Sequence, residues 1–310
     1  MPNTRPIILG VVGDSAAGKT TVTRGLVRIL GEDKVTHVCT DDYHRYDRQQ
    51  RAERGVTALN PESNYIDIIE QALAHLQQGE AILKPVYRHA DGTLGPPVYV
   101  KPHSFTVVEG LLGYHTQAMR SRYDVRVYLA PPEDLRREWK VQRDISRRGY
   151  TTDEVLSGLD RRVGDAEVYI RPQQRYADIV VSFTPDVNGD QEHLDANVKM
   201  RPGLPHPDLS PFVEEDGAGI TLTQQRAEIQ LHVPGTIAPH RAAAIEEAVW
   251  DRMHFASHLR GDRLGEFTVG TQLHRSESLA IVQVLILYQL VTARAAVALG
   301  GLGARVDQPG

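Results

Sequence analysis

Gly13-Asp14-Ser15-Ala16-Ala17-Gly18-Lys19-Thr20 sets two glycines, a lysine and a hydroxyl at the spacing G-x-x-x-x-G-K-[ST], with Thr21 directly after it. The glycines let the backbone curl so that successive N–H groups face an anion. Lys19 can then reach terminal phosphates, and the Thr20 hydroxyl can join a magnesium shell. That chemistry needs a strand before the loop and a helix after it. Ile7, Ile8, Leu9, Val11 and Val12 read as a strand buried on both faces, and Val22, Leu26 and Ile29 stand at helical spacing. A chance glycine turn is the bland alternative. The order of strand, loop, lysine, hydroxyl and helix speaks against it.

Phosphoryl transfer asks for charge neutralisation, a held metal and an oriented nucleophile more than for covalent chemistry. Glu109, closing the apolar run Phe105-Thr106-Val107-Val108, is a candidate for the metal or its waters; a helix-capping carboxylate is the plainer reading. Asp41 and Asp42 follow the strand Val35 to Thr40, at the edge where open α/β sheets bind ligands. Either could take a proton from an acceptor hydroxyl, and spacing alone does not choose between them. Lys140, Arg143, Asp144 and Arg147 share one face of a helix expected over Glu133 to Arg148, suited to a cationic lid or merely to solvent. Arg45, Arg48, Arg51 and Arg54 form a second cationic cluster, in a run from Arg45 to Asn60 that lacks an apolar period and reads as a loop. In an acidic protein such a cluster suggests a substrate with its own phosphate.

The elements that must position these groups alternate. A helix is expected from Pro61, with Ile66, Ile69, Leu73 and Leu76 inward and Gly79 as its stop; Lys84 to His89 then leads into a turn-rich link through Gly92, Gly95, Pro96 and Pro97. Val125 to Leu129 and Ala177 to Phe183 read as strands, with helices from Glu133 to Arg148 and Thr152 to Val163 between them. This predicts an α/β fold: a phosphate-loop core over residues 1–185, its mainly parallel sheet flanked by helices. Residues 186–310 are expected as an extension packed on that core. There Ala227 to Val233 and Phe267 to Val269 would add antiparallel strands, and Leu279 to Leu299 a final helix.

The 310 residues, 41% of them hydrophobic, suffice for a large buried core. A net charge of −5 argues against general nucleic-acid binding. Gln283, Gln289 and Arg294 interrupt the most apolar segment and favour a buried helix over a membrane span. The start lacks a signal core, and the single cysteine, Cys39, suits a reducing compartment, so a cytoplasmic location is expected.

Longer blocks carry a resemblance. Thr40-Asp41-Asp42-Tyr43-His44, Gly55-Val56-Thr57-Ala58-Leu59-Asn60-Pro61, Lys84-Pro85-Val86-Tyr87-Arg88-His89, Trp139-Lys140-Val141-Gln142-Arg143-Asp144 and Pro172-Gln173-Gln174-Arg175-Tyr176-Ala177-Asp178-Ile179-Val180 resemble the phosphoribulokinases, over about residues 6 to 183. The resemblance implies a kinase that uses ATP and Mg2+ to phosphorylate the 1-hydroxyl of ribulose 5-phosphate, the step that supplies the acceptor for carbon fixation in the Calvin cycle. It also implies a homo-oligomer, with a dimer favoured, and neither a nucleic-acid nor a membrane partner.

Position by position, the resemblance puts the catalytic base on Asp41, and Lys19, Lys140 and Arg143 beside it in catalysis. ATP falls to Gly13, Asp14, Ser15, Ala16, Ala17, Gly18, Lys19, Thr20 and Thr21. The acceptor falls to His44, Arg48, Tyr87, His89, Arg143, Asp144 and Arg148, and the metal to Thr20 and Glu109. Two departures stand out: plant-type relatives carry a second cysteine where this chain has Ala17, and the region after about residue 186 follows the family loosely. A uridine kinase-like enzyme, or a nucleotide-binding regulator without transfer activity, are the competing readings. The arginines favour a phosphorylated acceptor over a nucleoside.

Overall fold

The computed structural model describes residues 5–186, 193–213, 219–259, 263–269 and 272–303. The side chains of Arg147 and Arg148 lie outside the described residues, and with them the expected acceptor contact of Arg148. Two compact units divide the chain: residues 1–19 with 34–177, and residues 20–33 with 178–310.

The first unit begins with strand β1 (Ile7–Gly13), all seven residues buried. The loop after it opens helix α1 (Lys19–Leu30), whose body from Thr20 onward belongs to the second unit. Strand β2 (Val35–Cys39) ends in a 3-10 turn, Thr40–Tyr43. Helices α2 (Arg48–Arg54) and α3 (Ile66–Gln78) follow, then strands β3 (Ile82–Arg88), β4 (Thr93–Val100) and β5 (Phe105–Gly110). The short helix α4 (Gln117–Arg120), strand β6 (Val125–Leu129), and helices α5 (Glu133–Arg148) and α6 (Thr152–Asp160) complete the described set that matters for the site.

Four of these strands run parallel in the order β2-β5-β1-β6. The central β1 is buried on both faces of the sheet, which is why its sequence is continuously apolar rather than alternating. The ends of β1, β2 and β5 converge at the carboxyl edge and deliver the phosphate loop, the Asp41–Asp42 turn and Glu109.

Two local expectations are corrected. The run from Arg45 to Asn60 is not all loop, because Arg48–Arg54 is helical. Asp47 and Gln50 cap it reciprocally, and Gly55 ends it in the left-handed conformation, so caps rather than an apolar stripe define it. The link through Gly95, Pro96 and Pro97 is strand β4, paired antiparallel with β3 in a two-stranded ribbon. A two-stranded ribbon is all edge, the setting that tolerates proline.

In the second unit, β7 (Ile179–Thr184), β8 (Asp195–Met200), β10 (Glu228–Val233) and β9 (Thr221–Gln225) pair antiparallel in that order. The final helix, Glu277–Ala298, is long and apolar enough to cross a membrane, yet it is largely buried here, Gln283 and Gln289 included. Gln283 explains its own burial. Its Nε2 donates to Thr21 O (3.4 Å) and Val22 O (3.3 Å) on α1, and its Oε1 accepts from Gly265 N (2.8 Å). Gly25 admits it, since a Cβ there would lie 2.1 Å from Gln283 Nε2.

Candidate active site

The phosphate loop is shaped by main-chain turns. Ala16 and Gly18 adopt positive φ (66° and 88°), and Ala17 N donates to Asp14 O at 3.1 Å. A non-glycine residue in that conformation carries strain of the kind concentrated at binding loops. Lys19 Nζ donates to Gly13 O (2.8 Å) and Asp14 O (2.9 Å), which holds the ammonium over the loop's concave side. Asp14 accepts from Ser15 N at 2.6 Å, which occupies one of the loop's N–H groups.

Helix α5 braces this loop. Arg136, buried at 5% exposure, donates from Nη1 to Ser15 O (2.9 Å) and from Nε and Nη2 to Glu133 (3.0 and 2.6 Å), with Asp14 Oδ1 at 3.6 Å. Sequence reading missed Arg136; the Glu133-x-x-Arg136 spacing was the available signal, but its contact with Ser15 is not local. One helical turn on, Trp139 lies near Gly18. Beyond it Arg143 donates from Nη2 to Ser15 Oγ (3.3 Å) and from Nε to Asp144 Oδ1 (2.9 Å), while Lys140 binds the other Asp144 oxygen.

Burial, reinforced by the Arg143 charge, pushes Lys140 down to about 8 against the pull of Asp144. Burial would raise Asp144, but the Lys140 hydrogen bond and the Arg143 charge outweigh it and leave the carboxyl below its ordinary range. Asp144 thus pairs with two cations, of which Arg143 reaches the loop at Ser15. Arg162 is a second group the sequence did not single out: it lines a cleft with Asp14, Ser15, Glu133 and Arg136. Burial, with Arg51 nearby, holds its guanidinium below the usual value.

The two adjacent aspartates have different surroundings. Asp42 is committed to the β3 strand: Tyr87 N donates to its Oδ1 at 3.0 Å and Lys84 Nζ binds its Oδ2. Asp41 makes no side-chain hydrogen bond among the described residues. Its turn lies against Gly110, where a Cβ would come within 1.8 Å of Thr40 Oγ1 and 3.2 Å of Asp41 Oδ1, so only glycine lets β5 and the turn approach so closely.

Glu109, 7% exposed, lies 3.3 Å from His37 Nε2. Among the described residues no group of three or more His, Cys, Asp or Glu forms a metal cage. A buried carboxylate with a phosphate loop is instead the oxygen-donor set that suits Mg2+, which keeps waters and binds through one or two carboxylates plus phosphate.

Of the residues expected to bind the acceptor, His44, Arg48, Tyr87 and His89 come together as a wall, whereas Arg143 and Asp144 lie with Lys140 and Ser15. Tyr87 meets His44 edge-on (centroids 4.7 Å apart) and His89 edge-on (5.0 Å). Arg51, buried on α2, donates to Tyr87 OH (2.7 Å) and Tyr46 O (2.5 Å) and lies over the Tyr87 ring. Arg48 donates to His89 O at 2.8 Å and lies over Tyr150. Arg45 and Arg54 are exposed and rest on Tyr65 and Tyr46. One residue of the arginine cluster is therefore structural in its contacts, one joins the wall, and two lie outside it. Cys39 stands just before the aspartates, and burial, with the charges of Asp41, Glu109 and Asp42, raises its thiol well above the ordinary value.

A strand, an anion-binding loop, a bracing helix and an acid-bearing strand edge define a phosphate-loop kinase architecture. The chain belongs to the phosphoribulokinase / uridine kinase family, which it matches over residues 8–189. It is 41% identical over 181 residues to phosphoribulokinase of Synechocystis sp., covering 58% of this chain and 54% of that protein. Against the chloroplastic phosphoribulokinase of Mesembryanthemum crystallinum it is 31% identical over 255 residues, 75% of this chain and 64% of that one. The match thus spans less than two thirds of the length of these phosphoribulokinases. A uridine kinase of Brevibacillus brevis is 32% identical over 181 residues, 57% of this chain and 84% of that one. The solved phosphoribulokinase from Rhodobacter spheroides shares the fold, with a TM-score of 0.59 at 20% identity over 82% of this chain and 99% of that one.

Proposed function

We propose that this chain is a phosphoribulokinase, transferring the γ-phosphate of ATP to the 1-hydroxyl of D-ribulose 5-phosphate to give ribulose 1,5-bisphosphate and ADP. The observation that carries the reading is the contrast between Asp42, tied to Lys84 and Tyr87, and Asp41, uncommitted beside a wall that includes Arg48. Asp41 takes the proton of the 1-hydroxyl as that oxygen bonds to the γ-phosphorus, and the bond from phosphorus to the β-bridging oxygen breaks to release ADP. Lys19 and Arg143 stabilise the charge that spreads over the transferred group. Arg48 binds the 5-phosphate, a group that uridine lacks. Thr20 and Glu109 would hold Mg2+, which would supply charge neutralisation at the phosphates.

The sequence pattern and the resemblance support the rest of the proposal: residues 1–185 as kinase core, residues 186–310 as a carboxyl-terminal extension, a cytoplasmic homodimer, and a place in carbon fixation. An acceptor panel with ATP tests the reading by comparing ribulose 5-phosphate, ribose 5-phosphate, uridine and no acceptor. ADP release dependent on ribulose 5-phosphate is the expected result, and release dependent on uridine overturns it.

A further inference from the structure

Asn64 follows the turn Pro61–Ser63 and, like His44, is only 4% exposed. Three interactions fix its amide. Its Nδ2 donates to Ala58 O (3.1 Å) and to Asn60 O (2.8 Å), so both N–H bonds are spent on carbonyls that can only accept. The amide oxygen therefore faces His44, with Oδ1 2.7 Å from Nδ1. An amide oxygen cannot donate, so the proton in that contact belongs to His44 Nδ1. Backbone bonds Arg45 N to Ser63 O (2.8 Å) and Tyr65 N to Tyr43 O (2.9 Å) keep the two residues in register.

Burial keeps the ring neutral by lowering its pKa to about 4, with Arg51 and His89 acting the same way and Asp41 and the Asn64 hydrogen bond opposing. A neutral ring protonated at Nδ1 offers only a lone pair at Nε2. Among the described residues that nitrogen has no hydrogen-bond partner.

We propose that Asn64 is a positioning residue that locks His44 in the Nδ1–H tautomer, so that Nε2 accepts a hydrogen bond from a hydroxyl of the sugar-phosphate acceptor. The proposal rests on the reading that His44 faces the acceptor. It divides the wall by chemistry: an arginine for the phosphate, a neutral imidazole for a hydroxyl.

Long-range nitrogen–proton correlation spectra of the substrate-free protein, with the His44 signals assigned by their loss in His44→Gln, read the tautomer directly. The expected pattern is a protonated Nδ1 and a lone-pair Nε2; a protonated Nε2 overturns the proposal. In kinetics, Asn64→Leu removes the tautomer lock at similar size. It should raise the KM for ribulose 5-phosphate roughly tenfold while the KM for ATP stays within about twofold. Asn64→Ser, whose hydroxyl can donate or accept, is the second variant should the leucine not fold, and an unchanged acceptor KM in the variant assayed overturns the proposal. If the wild type turns over uridine instead, the function proposed above fails, while the spectrum still decides the tautomer and the same KM comparison is made with uridine.

Discussion

The phosphate loop and the acceptor wall are built in opposite ways. The loop is contiguous, residues 13 to 20, and its binding surface is main-chain N–H held by turns; one lysine and one hydroxyl are its working side chains. The wall gathers His44, Arg48, Tyr87 and His89 from separate elements, with Arg51 and Asn64 bonded behind it, and it is built largely of side chains in contact with one another. A site made of backbone tolerates most substitutions at its rim. A site made of interlocked side chains loses geometry when any member is removed. Losses on the loop side should therefore concentrate in a few positions, whereas those on the wall side should spread and be non-additive.

Substitutions sharpen or break that contrast. The largest effect is expected at their junction: Asp41→Asn should lower kcat by roughly 10²–10⁴-fold and leave ATP binding intact, measured by steady-state kinetics beside nucleotide titration. Near-normal turnover would transfer the base role to Asp42, despite its bond to Lys84. Next, Lys19→Met should cost roughly 10²–10³-fold in kcat, since one cation facing the transferred group is lost. Arg48→Ala should raise the KM for ribulose 5-phosphate by roughly 10–100-fold and leave the KM for ATP unchanged. Equal losses of ATP affinity in these last two variants would erase the division between loop and wall.

A fourth test uses acid. His44 titrates near 4 in the folded chain, against an ordinary value of about 6.5 in an unfolded one. Between those values the unfolded chain binds a proton that the folded chain does not. Stability is therefore fully present above about pH 6.5 and falls as pH drops toward 4, by an amount on the order of 3 kcal/mol, readable from denaturant midpoints. His44→Gln should flatten that slope; an unaltered slope would show that the wall's histidine is not the group responsible. The smallest effect is none at all: with one cysteine in the chain and its thiol pushed up by burial and nearby carboxylates, activity should be the same in oxidised and reduced dithiothreitol. A rapid loss restored by reductant would refute this.

The same contrast explains what could be read from sequence. The phosphate loop was legible because its residues are adjacent and their order is the mechanism. The parallel core was legible because β1 and β5 are short, continuous apolar runs. Helix α2 was not, since its stability comes from the Asp47–Gln50 cap and Gly55 rather than from an apolar stripe. Strand β4 hid behind Pro96 and Pro97, and β8 behind the proline-rich stretch around it, although Ala196, Val198 and Met200 do alternate inward. Asp41 and Asp42 could not be separated by spacing, being neighbours. What separates them is Lys84 and the Tyr87 amide, more than forty residues away. Arg136 was missed for the same reason: its carbonyl partner Ser15 is 121 residues distant.

The hydrogen bonds between Gln283 and helix α1 carry a consequence for the order of synthesis. The carbonyls of Thr21 and Val22 leave the ribosome early, yet the side chain that binds them is encoded 262 and 261 residues later. At ordinary translation rates that interval is roughly 13–52 s. A twelve-residue helix is marginal without tertiary partners. Through that interval α1 lacks the side chain that holds the carbonyls of its first turn.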